Sequence, residues 1–130
     1  MTELDMKTIE VRLGERSYPV YAGTSLLEQV GSLAARHGLG RRALVISNET
    51  VGELYAGVVL KSLHREGIAV EYAAIPDGEA HKTPQTAASL YDACVAANLD
   101  RGSFIVALGG GVVGDVAGFV AATYMRGIDF

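Results

Sequence analysis

Along residues 7–13 the sequence KTIEVRL alternates apolar with polar side chains, the two-residue period of a strand with one covered face. The residues GER then read as a turn, and SYPVYAG as a partner strand, which predicts an N-terminal hairpin. Pro19 places that second strand at an edge or at a bulge, since it has no N–H to give a neighbour. From Thr24 the period changes. TSLLEQVGSLAARHG puts Leu26, Leu27, Val30, Leu33 and Ala34 on one helical face, with Gly38 as the stop. RRALVISN is a short apolar run of the kind found in buried parallel strands. A second helix follows, opened near Asn48 and Thr50 and closed at Gly67, and then the strand IAVEYAAI.

The loop PDGEAHKTP comes next, ending on Thr83 as an N-cap with Pro84 at the first helical position. A third helix through QTAASLYDACVAANL leads by the turn DRG to the strand SFIVAL, and a glycine run opens the last helix. Helices alternating with short apolar strands predict an α/β fold: a Rossmann-like parallel sheet covered by helices on both faces, with the β-hairpin at its N-terminus. The 130 residues are one domain's worth of chain.

Composition narrows the function. A formal net charge of −4 without a cluster of Lys and Arg argues against a nucleic-acid surface. No apolar run reaches the length of a membrane span, and the N-terminus lacks the pattern of a signal peptide, so the reading is a cytoplasmic protein with no membrane partner. The lone Cys94 sits in a helical, alanine-rich stretch and reads as a small core residue. No Cys or His pair has zinc-ligand spacing, so no metal is assigned to this chain. His37 and His64 fall near helix ends, where capping explains them.

The sequence Gly109-Gly110-Gly111-Val112-Val113-Gly114 fits G-x-G-x-x-G between a strand and a helix. Bare backbone there permits close approach of a pyrophosphate, and the exposed N–H groups and positive helix end stabilise its charge. Asp115 is expected in the first helical turn, where it suits the helix dipole and could face a ribose or substrate hydroxyl. The competing reading is a tight strand-to-helix turn and nothing more. The run also departs from the usual dinucleotide fingerprint, which lies on the first strand of a βαβ unit with an acid about 20 residues further on. Gly118 suits close packing of this helix on a neighbour. Asp77, Glu79 and Lys82 share one loop, either as ligand contacts or as a solvated surface cluster. Arg126 is either an anion-binding residue or a helix-end arginine opposing the C-terminal dipole.

Taken in order, PDGExxK at 76–82, GGGVVGD at 109–115 and AGF…YMRG at 117–127 closely resemble the N-terminal domain of the 3-dehydroquinate synthase family of sugar-phosphate cyclases, from Met6 onward. The resemblance implies that residues 1–130 are the NAD-binding part of a longer two-domain enzyme. Its C-terminal domain would supply the ligands of a divalent metal, zinc or cobalt. It implies conversion of 3-deoxy-arabino-heptulosonate 7-phosphate, a small sugar phosphate, to 3-dehydroquinate and phosphate. In this reaction of the shikimate pathway NAD removes and later returns a hydride, and the working protein is a homodimer. Carried over by position, Asn48 and Thr50 contact the adenosine end of NAD, although a helix N-cap explains Asn48 equally well. Asp77, Gly78, Glu79 and Lys82 form the NAD loop. Gly110, Gly111, Val112, Val113, Gly114 and Asp115 form the pyrophosphate turn, with Asp115 also catalytic beside the nicotinamide. Arg126 reaches a substrate anion, from across the dimer in relatives. Sibling sugar-phosphate cyclases share the cofactor half and differ mainly in the C-terminal domain, a glycerol-dehydrogenase-like enzyme shares the glycine turn, and the 130 residues alone are expected to be a non-catalytic NAD-binding module.

Overall fold

The computed structural model describes residues 5–130. Its core is a three-stranded, all-parallel sheet in the order β4-β3-β5, built from β3 (Arg42–Asn48), β4 (Ala69–Ile75) and β5 (Phe104–Leu108). The central strand β3 is buried along Ala43–Ser47, because helices cover both of its faces. Leu44 and Ile46 point to one side, into a core shared with Leu90 and Cys94 of α3 (Pro84–Ala96) and Val113, Val116 and Val120 of α4 (Gly111–Thr123). Ala43 and Val45 point to the other, against Ala34 of α1 (Val30–Arg36) and Ala56, Val59 and Leu63 of α2 (Glu49–Arg65). A run of small and branched apolar residues is what a strand covered on both faces requires. Ser47 is buried among them, and its hydroxyl is satisfied by donating to the Leu108 carbonyl at 2.7 Å.

The N-terminal hairpin is a separate sheet, with β1 (Met6–Val11) antiparallel to β2 (Tyr18–Gly23) and Pro19 opposite Glu10. A two-stranded sheet leaves both strands as edges, so the missing proline N–H is tolerated. Tyr21 ties the hairpin to the body through a 2.9 Å hydrogen bond between its hydroxyl and Nε2 of His37, which gives that histidine a partner other than a helix end.

Helix boundaries differ from the sequence reading in three places. The first helix begins at Val30 and not near Thr24, since Ser25 is left-handed (φ 56°) and a 3-10 turn over Leu27–Gln29 intervenes. At Gly31 the helix lies directly on the backbone of Ser62, and the Ser62 hydroxyl accepts from Gly31 N and donates to the Glu28 carbonyl. The third helix stops at Ala96, where left-handed Asn98 (φ 57°) lets Leu99 N return to the Cys94 carbonyl. The last ends at Thr123. Met125 and Arg126 then adopt left-handed backbone (φ 51° and 67°), so YMRG is a turn and Arg126 does not lie in the helix. That turn brings Asp129 beside β5, where its carbonyl accepts from Ile105 N at 2.9 Å. Gly118 packs on the ring of Phe130.

Candidate functional site

Every parallel strand delivers one part of the site from its carboxyl end. Asn48 ends β3, the loop after Ile75 carries Asp77 to Lys82, and the glycine turn follows Leu108. Ligand sites in open α/β sheets lie at this edge, because helix N-termini and short loops converge there.

The glycines divide into two kinds. Gly109 has φ +155°, and a Cβ on it would meet the Val113 side chain at 2.9 Å, so the fold itself requires a glycine. Around Gly110, Gly111 and Gly114 a Cβ would meet nothing within 4 Å. Their bareness therefore answers no packing need among the described residues, and it leaves open surface where a second molecule can reach the backbone. Gly110 is the N-cap of α4 and offers no side-chain acceptor to the first N–H groups. By contrast, Asn48 Oδ1 accepts from Val51 N at 2.7 Å to cap α2, and Thr83 Oγ1 accepts from Thr86 N at 3.2 Å to cap α3. The glycine turn thus presents exposed donors and the positive end of a 13-residue helix to any anion that arrives. Val112 is half-buried and Val113 is a core residue, so both present only their backbone to that surface.

Asp115 lies in the second turn of α4, one turn later than the sequence reading placed it, because the helix begins at Gly111. Its carboxylate accepts from Lys82 Nζ at 2.7 Å. Glu79 stands 3.6 Å from the same ammonium. The hydrogen bond and charge of Asp115, then the charge of Glu79, raise the Lys82 pKa above its usual value, and the amine stays cationic. With their side chains 41% and 62% exposed, Lys82 and Asp115 add little to stability, so the pair matters for placement. Beside it runs a cleft of about 330 Å³ between α3 and α4, lined by Lys82, Thr83, Pro84, Ala87, Asp115, Val116 and Phe119. One charged pair at the mouth of an apolar slot, with Phe119 56% exposed, suits a flat ligand with a polar edge.

Asp77 turns away from this cleft. One carboxylate oxygen accepts from Thr50 N at 3.3 Å and the other from the Thr50 hydroxyl. The Thr50 hydroxyl bond is the largest cause that lowers the Asp77 pKa. Gly78 is left-handed (φ +102°) and starts the 3-10 turn Glu79–His81 that carries the chain to Lys82. Arg126 lies beyond the far end of α4 from the glycine turn, exposed in its left-handed turn. The structure therefore brings Lys82, Glu79, Asp115 and Gly110–Gly114 together, with Asn48, Thr50 and Asp77 as a flanking group, and holds Arg126 apart. The cleft residues Pro84, Ala87, Val116 and Phe119 were missed by sequence reasoning, because they look like ordinary helix positions. Buried Cys94 lies in the core, its thiol pushed up to about 11 by burial. Among the described residues no three His, Cys, Asp or Glu side chains are grouped to hold a metal ion, and no helix is long and apolar enough to cross a membrane.

Solved structures with this fold include 2-deoxy-scyllo-inosose synthase complexed with carbaglucose-6-phosphate, NAD+ and Co2+ (TM-score 0.82, 28% identity, 94% of this chain and 33% of that chain). Another is glycerol dehydrogenase from Schizosaccharomyces pombe (TM-score 0.61, 16% identity, 80% of this chain and 24% of that one), a likeness of fold alone. The first of these places the chain with the sugar-phosphate cyclases. Residues 72–130 match the model of the 3-dehydroquinate synthase N-terminal family. Over 125 residues the chain is 58% identical to a 3-dehydroquinate synthase of Pelotomaculum thermopropionicum and 49% identical to one of Desulforamulus reducens. Each alignment covers 96% of this chain, and 34% and 35% of the relative. The chain belongs to the 3-dehydroquinate synthase family, and it spans about a third of the length of the curated relatives it matches.

Proposed function

We propose that this chain is the NAD-binding N-terminal domain, residues 1–130, of a two-domain 3-dehydroquinate synthase. The observation that carries the reading is the uncapped glycine N-terminus of α4, set beside the Lys82–Asp115 pair at the carboxyl edge of the sheet. The open space over Gly110, Gly111 and Gly114 fits a pyrophosphate, and the apolar slot beside Asp115 fits a flat ring.

When bound, NAD supplies reversible hydride acceptance from a substrate carbon. This chain's own residues hold and orient it. The N–H groups of Gly111, Val112 and Val113 bind phosphate oxygens. Lys82, kept cationic by Asp115 and Glu79, donates to a ribose or phosphate oxygen within reach of the loop. Asp115 keeps one carboxylate oxygen on Lys82 and offers the other to a substrate hydroxyl beside the nicotinamide. Asn48 uses its Oδ1 as a cap and retains its amide N–H groups for the adenosine end. The substrate is a sugar phosphate, in keeping with the carbaglucose-6-phosphate complex of the neighbour. Arg126, in the turn beyond the end of α4 that lies away from the glycine turn, contacts substrate in a second copy of a homodimer. The divalent metal belongs to the remainder of the enzyme, and the 130 residues alone bind NAD without synthase turnover.

Calorimetric titration of NAD into the 130-residue chain tests the reading. Saturable binding is expected for the natural sequence, and at least tenfold weaker binding for Gly111→Val at unchanged melting temperature, since a side chain there meets only open space. Equal binding by both chains would refute the pyrophosphate assignment.

A further inference from the structure

Asp77 belongs to the loop that bears Glu79 and Lys82, yet both of its carboxylate oxygens are engaged by Thr50, 27 residues earlier at the start of α2. The backbone of Glu49, the first residue of α2, adds a further contact to the same carboxylate; the loop's side-chain links to other elements run forward, from Lys82 to Asp115 and from Thr83 to Thr86. Between the two anchors lie left-handed Gly78 and a single 3-10 turn. With one end stapled to α2 and the other capping α3, the loop has little freedom in where it sets Lys82.

We propose that Asp77 is a positioning residue, not a ligand contact: bonded to Thr50, it staples the loop after β4 to the N-terminus of α2 and so sets Lys82 against Asp115. The staple also fixes the spacing between the β3 tip, where Asn48 lies, and the glycine turn after β5. A carboxylate spanning a backbone N–H and a hydroxyl resists rotation about either bond alone, which is why one residue suffices. The ligand-facing half of this inference rests on the NAD reading above, and the staple itself does not.

The test uses the 130-residue chain with Asp77→Ala, Asp77→Asn, Thr50→Val and the Asp77→Ala/Thr50→Val double variant. Amide hydrogen exchange without ligand should speed up about tenfold over residues 76–83 in Asp77→Ala, while β3 and β5 keep their protection. Asp77→Asn, which retains an acceptor for Thr50, should restore most of that protection. In NAD titrations Asp77→Ala should bind several-fold more weakly, and the double variant no more weakly than Asp77→Ala, because both changes break one link. Unchanged exchange over 76–83 in Asp77→Ala would overturn the staple. Affinity losses that add in the double variant would show that Asp77 touches the ligand directly, and would overturn the positioning role. Should the natural chain bind no NAD, the reading of the site fails, and the exchange comparison alone decides whether the staple exists.

Discussion

Gly109 and Gly111 are two residues apart and chemically identical, yet they answer to different constraints. Backbone at φ +155° and the neighbouring Val113 side chain require glycine at 109 whether or not a ligand binds. Gly109→Ala is therefore expected to lower stability by about 1–3 kcal/mol, read as a loss of denaturation midpoint. Substitution at 111 costs the fold little. The G-x-G-x-x-G pattern was legible in the sequence, but not this division, because clashes with a Cβ depend on the rotamer and position of Val113. Asp77 shows the same limit. Its residue type is visible in the chain, while its commitment to Thr50 depends on two loops meeting at one sheet edge.

Helices α2 and α3 each begin on a side-chain acceptor, and α4 begins on none. The caps at Asn48 and Thr83 were readable locally, since a cap and the N–H it binds lie three residues apart. On the proposed NAD reading, the bare start of α4 keeps its N-terminal donors for the ligand at some expense of intrinsic stability. Gly110→Asp should supply the missing cap. An increase of up to about 1 kcal/mol in the stability of the ligand-free chain is expected, with NAD binding weakened at least tenfold by the added negative charge. Chemical denaturation and calorimetry on the same preparation read the two effects. Gain of both stability and affinity would contradict the assignment. The first helix starts later than its apolar spacing suggests because Ser25 takes left-handed backbone and a 3-10 turn over Leu27–Gln29 precedes Val30, while the close contact of Gly31 with the Ser62 backbone holds α1 in place; apolar spacing carries no record of either.

At the scale of the molecule, the covered parallel sheet and the hairpin are distinct sheets, with the Tyr21–His37 hydrogen bond joining hairpin to body. The two cores on either face of β3 draw on no hairpin residue among their buried members. Removal of residues 1–23 should therefore leave the parallel sheet folded and NAD affinity within about threefold of the longer chain, whereas Leu90→Ala, inside the core beneath the site, should cost about 2–5 kcal/mol. Circular dichroism melts and titration of the two variants distinguish these outcomes; collapse of the sheet on removal of the hairpin would show that the hairpin carries part of the core.

The sequence by itself determined the order and type of the elements, the two caps, the glycine turn and the family resemblance. Each of these is carried by residues a few positions apart, where period, turn chemistry and helix ends are set by local sterics and hydrogen bonds. Only the tertiary structure decided that Lys82 pairs with Asp115 across 33 residues, that Thr50 holds Asp77 across 27, and that Arg126 stands apart from both. Those relations arise where separate strands of one sheet end side by side, and strand order in space is fixed by burial on both faces, not by distance along the chain.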